Sequence, residues 1–296
     1  MMVEEPRVYI GICTYNRAKS LKRTLKSVIN LDYKNYQVIV IDNNSYDETK
    51  NVVALFPQVI YFLERRQGIA YARNKFLDYC KERNDAEYVG FIDDDETLPR
   101  DWLNSMIDCF KTNKQIAVVT GAVVPVYETL PPLYMPDGLH NAYENKKEIN
   151  TFYEKFSALT GNCLFKYQIL KEKKIRFNES LGRKGNILMA REDTKFFSDL
   201  VEPEYFYGFT SKAFINHYIE KERLTFKYFV RRFFYEGVSE YYCKNKTILL
   251  KSLFKLFVQI LHFIIVLFTF KKKIIVERFL KIIKTIGILS APFVKI

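Results

Sequence analysis

The stretch "YVGFIDDDETLP", residues 88–99, ends an apolar run in three aspartates and a glutamate. Adjacent like charges repel, and each loses hydration near a protein interior. The quartet is therefore either a solvated acidic turn or part of a site completed by a cation. The surrounding chain bears on the choice. "VYIGICTY" (8–15), "YQVIVID" (36–42), "VIYFLE" (59–64) and "IAVVTGAVV" (116–124) resemble residues 88–93 in being short and almost continuously apolar. That is the pattern of strands buried on both faces. Residues 17–30, 47–56, 69–84 and 100–113 read as helices; in the third, Ile69, Ala72, Phe76, Leu77 and Cys80 share one face. Strands alternating with helices predict an α/β fold, a doubly wound and mostly parallel sheet with helices on both faces. Such sheets bind ligands beyond the carboxyl ends of their strands. Here those ends carry "CTYN", "DNNS" and "DDDE".

A chain of 296 residues with 48% hydrophobic side chains can bury a sizeable core. Residues 126–155 read as a long loop, and 156–220 as a mixture of short strands and helices, with "TGNCLF" and "REDTKFFSDL" the clearest pieces. Cys13, Cys80, Cys109, Cys163 and Cys243 lie far apart, which suits reduced thiols in a cytoplasmic setting and excludes a C-x-x-C zinc site. "MMVEEPRVYIGI" lacks the basic start of a signal peptide, so none is expected. The last quarter is different: residues 221–296 hold 16 Lys/Arg against four Glu and no Asp, which accounts for the whole net charge of +12.

"CTYNR", "VIVIDNNSYDET", "GIAYARN", "FIDDDE" and "ARED", in this order, resemble the family 2 glycosyltransferases of the GT-A fold over roughly residues 7–240. The resemblance implies an inverting transferase with a nucleotide-binding half (1–125) and an acceptor-binding half (126–220). It implies that Asp42 accepts a hydrogen bond from the base, as a carboxylate can from the imide of uracil or thymine; the bland alternative is an Asx turn. Thr14, Tyr15, Asn16, Arg17 and Asn44 would surround the same nucleotide. Gly68 would admit a close loop, and Arg73 would lie by the phosphates. Asp93, Asp94 and Asp95 match the family's D-x-D motif, with Asp95 and Asp93 the metal ligands and Asp93 and Asp94 near the nucleotide. Mg²⁺ or Mn²⁺ takes such hard oxygens. Asp193, with Glu192 as second choice, would be the base that deprotonates the acceptor hydroxyl; acidic residues also favour first helical turns for dipole reasons. His217 would be a metal ligand or a structural imidazole. Trp102 would stack on an acceptor sugar or fill the core.

The tail carries a separate expectation. "LFVQILHFIIVLFTF" (256–270) has 15 uncharged residues, short of the roughly 20 that span a bilayer. Lys251, Lys255, Gln259 and His262 recur on one helical stripe, and Glu277, Lys281 and Lys284 on another. Basic amphipathic helices in 221–296 suggest a membrane-surface region, through 248–296 in particular, or packing on the catalytic domain or a partner subunit. No nucleic acid is expected from so apolar a tail. Together these readings give a UDP- or dTDP-sugar donor and a lipid-linked or growing glycan acceptor at the inner face of the cell membrane. Two rivals remain: a sugar nucleotidyltransferase, disfavoured because "CTYNRAKS" has no glycine, and a scaffold of the same fold without catalysis.

Overall fold

The computed structural model describes residues 5–137, 139–140, 148, 150–153, 160–200, 205–243 and 248–294. The four N-terminal apolar runs form β1 (Val8–Thr14), β2 (Tyr36–Asp42), β3 (Ile60–Leu63) and β4 (Tyr88–Asp93), parallel and in the order β3-β2-β1-β4. Between them run α1 (Ala18–Val28), α2 (Thr49–Ala54) and α3 (Ile69–Arg83). After β4 come the two-residue β5 (Glu96–Thr97) and α4 (Trp102–Thr112).

The segment 116–124 is two strands, not the expected one: β6 (Ile116–Thr120) and β7 (Val123–Tyr127). The chain leaves one sheet for another at Gly121, where a Cβ would lie 1.9 Å from the Ala213 carbonyl oxygen. A side chain there would close the crossing. The long loop expected over 126–155 accordingly begins with the end of β7 and contains β8 (Thr151–Tyr153); residues 138, 141–147, 149, 154 and 155 of it lie outside the described residues.

Next come β9 (Asn162–Lys166), α5 (Tyr167–Glu172), α6 (Glu192–Leu200), β10 (Phe206–Phe209) and β11 (Ile215–Ile219). The main sheet has the order β3-β2-β1-β4-β9-β6-β10-β8. It is mostly parallel, but β9 runs antiparallel to both β4 and β6, and β8 antiparallel to β10. A small second sheet, β5-β11-β7, sits beside the acidic end of β4.

Apolar layers cover both faces of the main sheet. Leu21, Leu25, Trp102 and Met106 from α1 and α4 fill one; Phe76 of α3 and Phe196 of α6 fill the other. Trp102 is fully buried and its indole N–H donates to Asn162 Oδ1 at 2.9 Å, so it packs the core and does not stack on a sugar. Asn74 of α3 receives Phe177 N–H at 2.9 Å and donates to the Phe177 carbonyl at 3.0 Å, and Phe177 stacks on Phe196 with ring centroids 4.0 Å apart. These contacts tie the segment before α6 to α3.

The C-terminal residues form α7 (Phe226–Cys243), α8 (Ile248–Leu267) and α9 (Lys272–Ser290). α7 crosses α9 with backbones nearly touching: a Cβ on Gly237 would lie 1.9 Å from Lys284 O, and one on Gly287 2.1 Å from Phe234 O. α8 packs on α9 and leaves Leu250, Phe254, Phe257 and Ile265 exposed, as is Phe268 just beyond it. At 20 residues and almost wholly outside the protein interior, α8 is long and apolar enough to cross a membrane. The 15-residue apolar run of the sequence begins inside the helix, which starts earlier, at Ile248.

Candidate active site

The parallel register sets Cys13 beside Asp93, so the carboxyl end of β1 meets the acidic quartet directly. Thr14 Oγ1 donates to Asp94 Oδ2 at 2.7 Å. Asn16 adopts a left-handed turn (φ 52°), a conformation that Asn tolerates better than most residues. Just beyond it, Arg17 Nη1 reaches Asp94 Oδ1 at 2.8 Å and Asp95 Oδ2 at 2.9 Å. Asp95 Oδ2 also meets Arg223 Nη1 at 2.8 Å and His217 Nε2 at 3.4 Å. His217 reaches that position because β11 pairs antiparallel with β5, placing it opposite Glu96.

These neighbours set the protonation of the acids. Burial works to raise the Asp95 carboxyl, but His217, Arg17 and Arg223 outweigh it and hold the group well below the usual carboxylate range. Asp94 is pushed up to about 6, chiefly by burial, with Arg17 pulling the other way. Glu96 is pushed well above its ordinary value by burial and by Asp93 and Asp95. It is held by the Asp93 backbone N–H, which donates to Glu96 Oε2 at 2.9 Å.

Oxygens of Asp93, Asp95 and Glu96 all lie within 4.8 Å of one another. Glu96 takes no role in the reading of the sequence, although it closes the quartet; its place in this set arises from the turn after β4, across which the Asp93 N–H donates to its carboxylate. The three acids supply the hard donors that Mg²⁺ or Mn²⁺ prefers, and the repulsion that raises Glu96 is the kind a cation relieves. Gly161 keeps the set open: a Cβ there would lie 2.7 Å from Asp93 Oδ2 and 2.8 Å from Glu96 Oε1.

Arg73 joins this cluster to the "ARED" segment. Its Nη1 meets Glu192 Oε1 at 3.0 Å and its Nη2 meets Asp93 Oδ1 at 3.5 Å. Glu192 is buried and committed to that arginine; burial, then the Asp193 charge, pushes it up to about 7. Asp193, at the first turn of α6, is less buried, and its Oδ1 accepts the Thr194 N–H at 2.7 Å. Arg191, in a left-handed conformation (φ 71°), turns away to pair with Glu240 of α7 at 3.0 Å.

All these acids open on one cavity of about 840 Å³. Thr14, Tyr15, Asn16, Arg17, Arg73, Asp93, Asp94, Asp95, Glu192, Asp193 and His217 line it. Tyr15 and Tyr46 form an edge-to-face pair at its mouth, with centroids 6.3 Å apart. Asp42, Asn44 and Gly68 are not part of the lining. Asp42 makes the Asx turn: its Oδ1 accepts Ser45 N–H at 2.8 Å, while Oδ2 accepts the Tyr61 hydroxyl at 2.8 Å. Asn44 is exposed with φ 67°. Gly68 (φ 146°) donates its N–H to Asn43 Oδ1 at 2.7 Å. It thus acts through Asn43, which does line the cavity.

A further group of lining residues is given no individual role in the sequence reading: His140 and Arg183, which fall in the stretches 126–165 and 182–189 expected to supply donor-sugar and acceptor contacts, and Arg223, Tyr228, Arg232 and Glu236. The helix α7 that carries Tyr228, Arg232 and Glu236 lies in the region read from sequence as membrane-associated. Their only signal is an i, i+4, i+8 spacing that aligns them on one helical face.

The mostly parallel sheet flanked by helices is a GT-A type architecture. The Glycosyl transferase family 2 profile matches residues 9–172, and the chain belongs to that family. The succinoglycan biosynthesis protein ExoM of Rhizobium meliloti is 28% identical over 245 residues, covering 79% of this chain and 74% of ExoM. Among solved structures, Staphylococcus aureus TarS with UDP-GlcNAc superposes with TM-score 0.55 at 19% identity, over 72% of this chain but only 58% of the TarS chain. The mannosyltransferase PcManGT from Pyrobaculum calidifontis, with GDP-Man and Mn²⁺, gives TM-score 0.56 at 16% identity, over 98% of this chain and 74% of its own. At such identities the two structures speak for the fold.

Proposed function

We propose that this protein is a metal-dependent, inverting glycosyltransferase that moves a sugar from a UDP- or dTDP-sugar to a hydroxyl of a lipid-linked or growing glycan. The observation that carries this reading is the acidic set Asp93, Asp95 and Glu96 facing the same cavity as Asp193. Asp93, Asp95 and Glu96 would hold the divalent ion, which would offset negative charge on the departing diphosphate. Asp193 takes the proton from the acceptor hydroxyl as that oxygen bonds to the anomeric carbon and the sugar–phosphate bond breaks. Glu192, bound to Arg73, anchors the segment that presents Asp193. Tyr15 and Tyr46, which line the cavity, would flank the base, while Asp42, buried and outside the lining, is occupied by Ser45 and Tyr61. ExoM's name supports a role in glycan biosynthesis, the UDP-GlcNAc of TarS supports the donor class, and the Mn²⁺ of PcManGT, whose own donor is GDP-Man, supports the metal. The exposed face of α8 supports work at the cytoplasmic face of a membrane, on an acceptor that stays in the bilayer.

Calorimetry with UDP, dTDP and GDP, with and without Mn²⁺, tests the reading on wild type and Asp95→Asn. The expected result is metal-dependent binding of UDP or dTDP that Asp95→Asn abolishes. Equal binding with and without metal would remove the metal from the reading. Preference for GDP would overturn the donor class, and no binding of any nucleotide would overturn the donor site.

A further inference from the structure

The cavity has two walls of opposite character. On the acidic side each arginine has a carboxylate: Arg17 has Asp94 and Asp95, Arg73 has Glu192 and Asp93. On the other side, among the described residues, neither Arg183 nor Arg232 has a carboxylate at ion-pair distance. Arg223 shares Asp95 with Arg17, and its Nε is buried without a hydrogen-bond partner. His140 is 6% exposed, lines this wall, and its Nε2 is likewise buried without a partner. The local field is strongly positive. Although burial opposes it, Arg223, Arg183 and Arg232 bring the Tyr228 phenol down to about 7. Burial and the same arginines lower His140 to about 3, so it stays neutral.

Arg183 and Arg232, with no carboxylate at ion-pair distance among the described residues, are suited to a phosphoryl group, which offers the oxygens that planar N–H forks bind in pairs. Its source follows from position. Arg232 and Tyr228 stand on α7, α7 packs on α9, and α9 carries the apolar helix α8. We infer that Arg183 and Arg232, with His140, bind a phosphoryl group of the acceptor, esterified to a lipid, at the part of the cavity wall that α7 helps to line. This rests on the proposed transfer to a lipid-linked acceptor and names the group by which that acceptor is held.

The test uses the full-length protein in detergent micelles, with farnesyl diphosphate and farnesol as acceptor-side probes and UDP with Mn²⁺ as donor-side probe. Farnesyl diphosphate should bind more tightly than farnesol. The double variant Arg183→Met/Arg232→Met should weaken it by about tenfold or more, while UDP affinity stays within about twofold. Arg183→Lys/Arg232→Lys, which keeps both charges, should recover part of the loss and guards against a folding defect in the Met variant. If UDP binding falls in parallel, the arginines serve the donor's diphosphate and the inference is overturned. It is also overturned if farnesyl diphosphate binds no better than farnesol, or if the Met variant binds it as wild type does. Failure of wild type to bind UDP while the arginine dependence holds would instead remove the donor reading alone.

Discussion

The carboxyl edge of the main sheet and the C-terminal helix pair depart from ordinary burial in opposite directions. At the sheet edge Asp94, Asp95, Glu96, Glu192 and Arg73 are charged or polar and buried. On α8, Phe254, Phe257 and Ile265 are large, apolar and exposed. Buried charge is costly unless paired, and a wide apolar face in water is rare unless something covers it. On the proposed reading, a cation and a nucleotide would complete the first region and lipid the second. α7 joins them: it lines the cavity with Tyr228, Arg232 and Glu236 and crosses α9 through Gly237 and Gly287.

The comparison breaks first at Asp193. If the sheet edge is a catalytic centre, Asp193→Asn should lower kcat by about 10² to 10⁴, the usual contribution of a positioned base. Metal-dependent nucleotide binding should survive, because the donor acids Asp93 and Asp95 belong to a different segment. A steady-state assay together with calorimetry separates the two effects. An unchanged kcat would move the base elsewhere, with Glu192 next in line.

The helix pair gives the second test. Phe257→Asp/Ile264→Asp places two charges on the exposed side of α8. Each aspartate opposes insertion by up to roughly 3 kcal/mol, so partition onto vesicles containing anionic lipid should drop by more than about tenfold. The thermal midpoint should hardly move, since surface substitutions change stability by about 0.5 kcal/mol or less. A large fall in the midpoint with unchanged partition would mean that protein, not lipid, covers α8.

Sequence patterns reach these two regions unequally. The strands β1 to β4 are legible because both-face burial leaves a continuous apolar run, and the site lies where those runs stop in polar residues. The alternative for Asp42 was legible too: the "DNNS" turn chemistry is what its side chain satisfies. Three features are not legible. β9 enters the sheet antiparallel between β4 and β6, which depends on long-range pairing and leaves no local mark. The split of 116–124 turns on one close approach at Gly121. The pairing of Arg223 with Asp95 spans 128 residues, so an arginine in a basic tail reads as surface charge until the fold brings it home.

The smallest expected effect probes the buried side of the comparison by pH. Glu192 has an ordinary value of 4.5 and is pushed up to about 7 by burial and by Asp193, against the pull of Arg73. A carboxyl raised on folding binds its proton more tightly in the native state. Its favourable contribution is complete below about 4.5 and is lost as pH rises through about 7. Glu192→Gln removes that titration while keeping shape and most hydrogen bonding. The stability of the variant relative to wild type should therefore increase between those two values by an amount on the order of 1–3 kcal/mol, then level off. The pull of Arg73 on the ionised carboxylate is already contained in that value, and Asp94, present in both proteins, cancels in the difference. Denaturant unfolding of both proteins at several pH values reads the slope. Parallel curves would mean that Glu192 titrates normally and that the buried acids at the sheet edge are less strained than their surroundings imply. A difference of opposite sign would mean that Arg73 outweighs burial, and the contrast with the exposed helix would then rest on Asp94 and Glu96 alone.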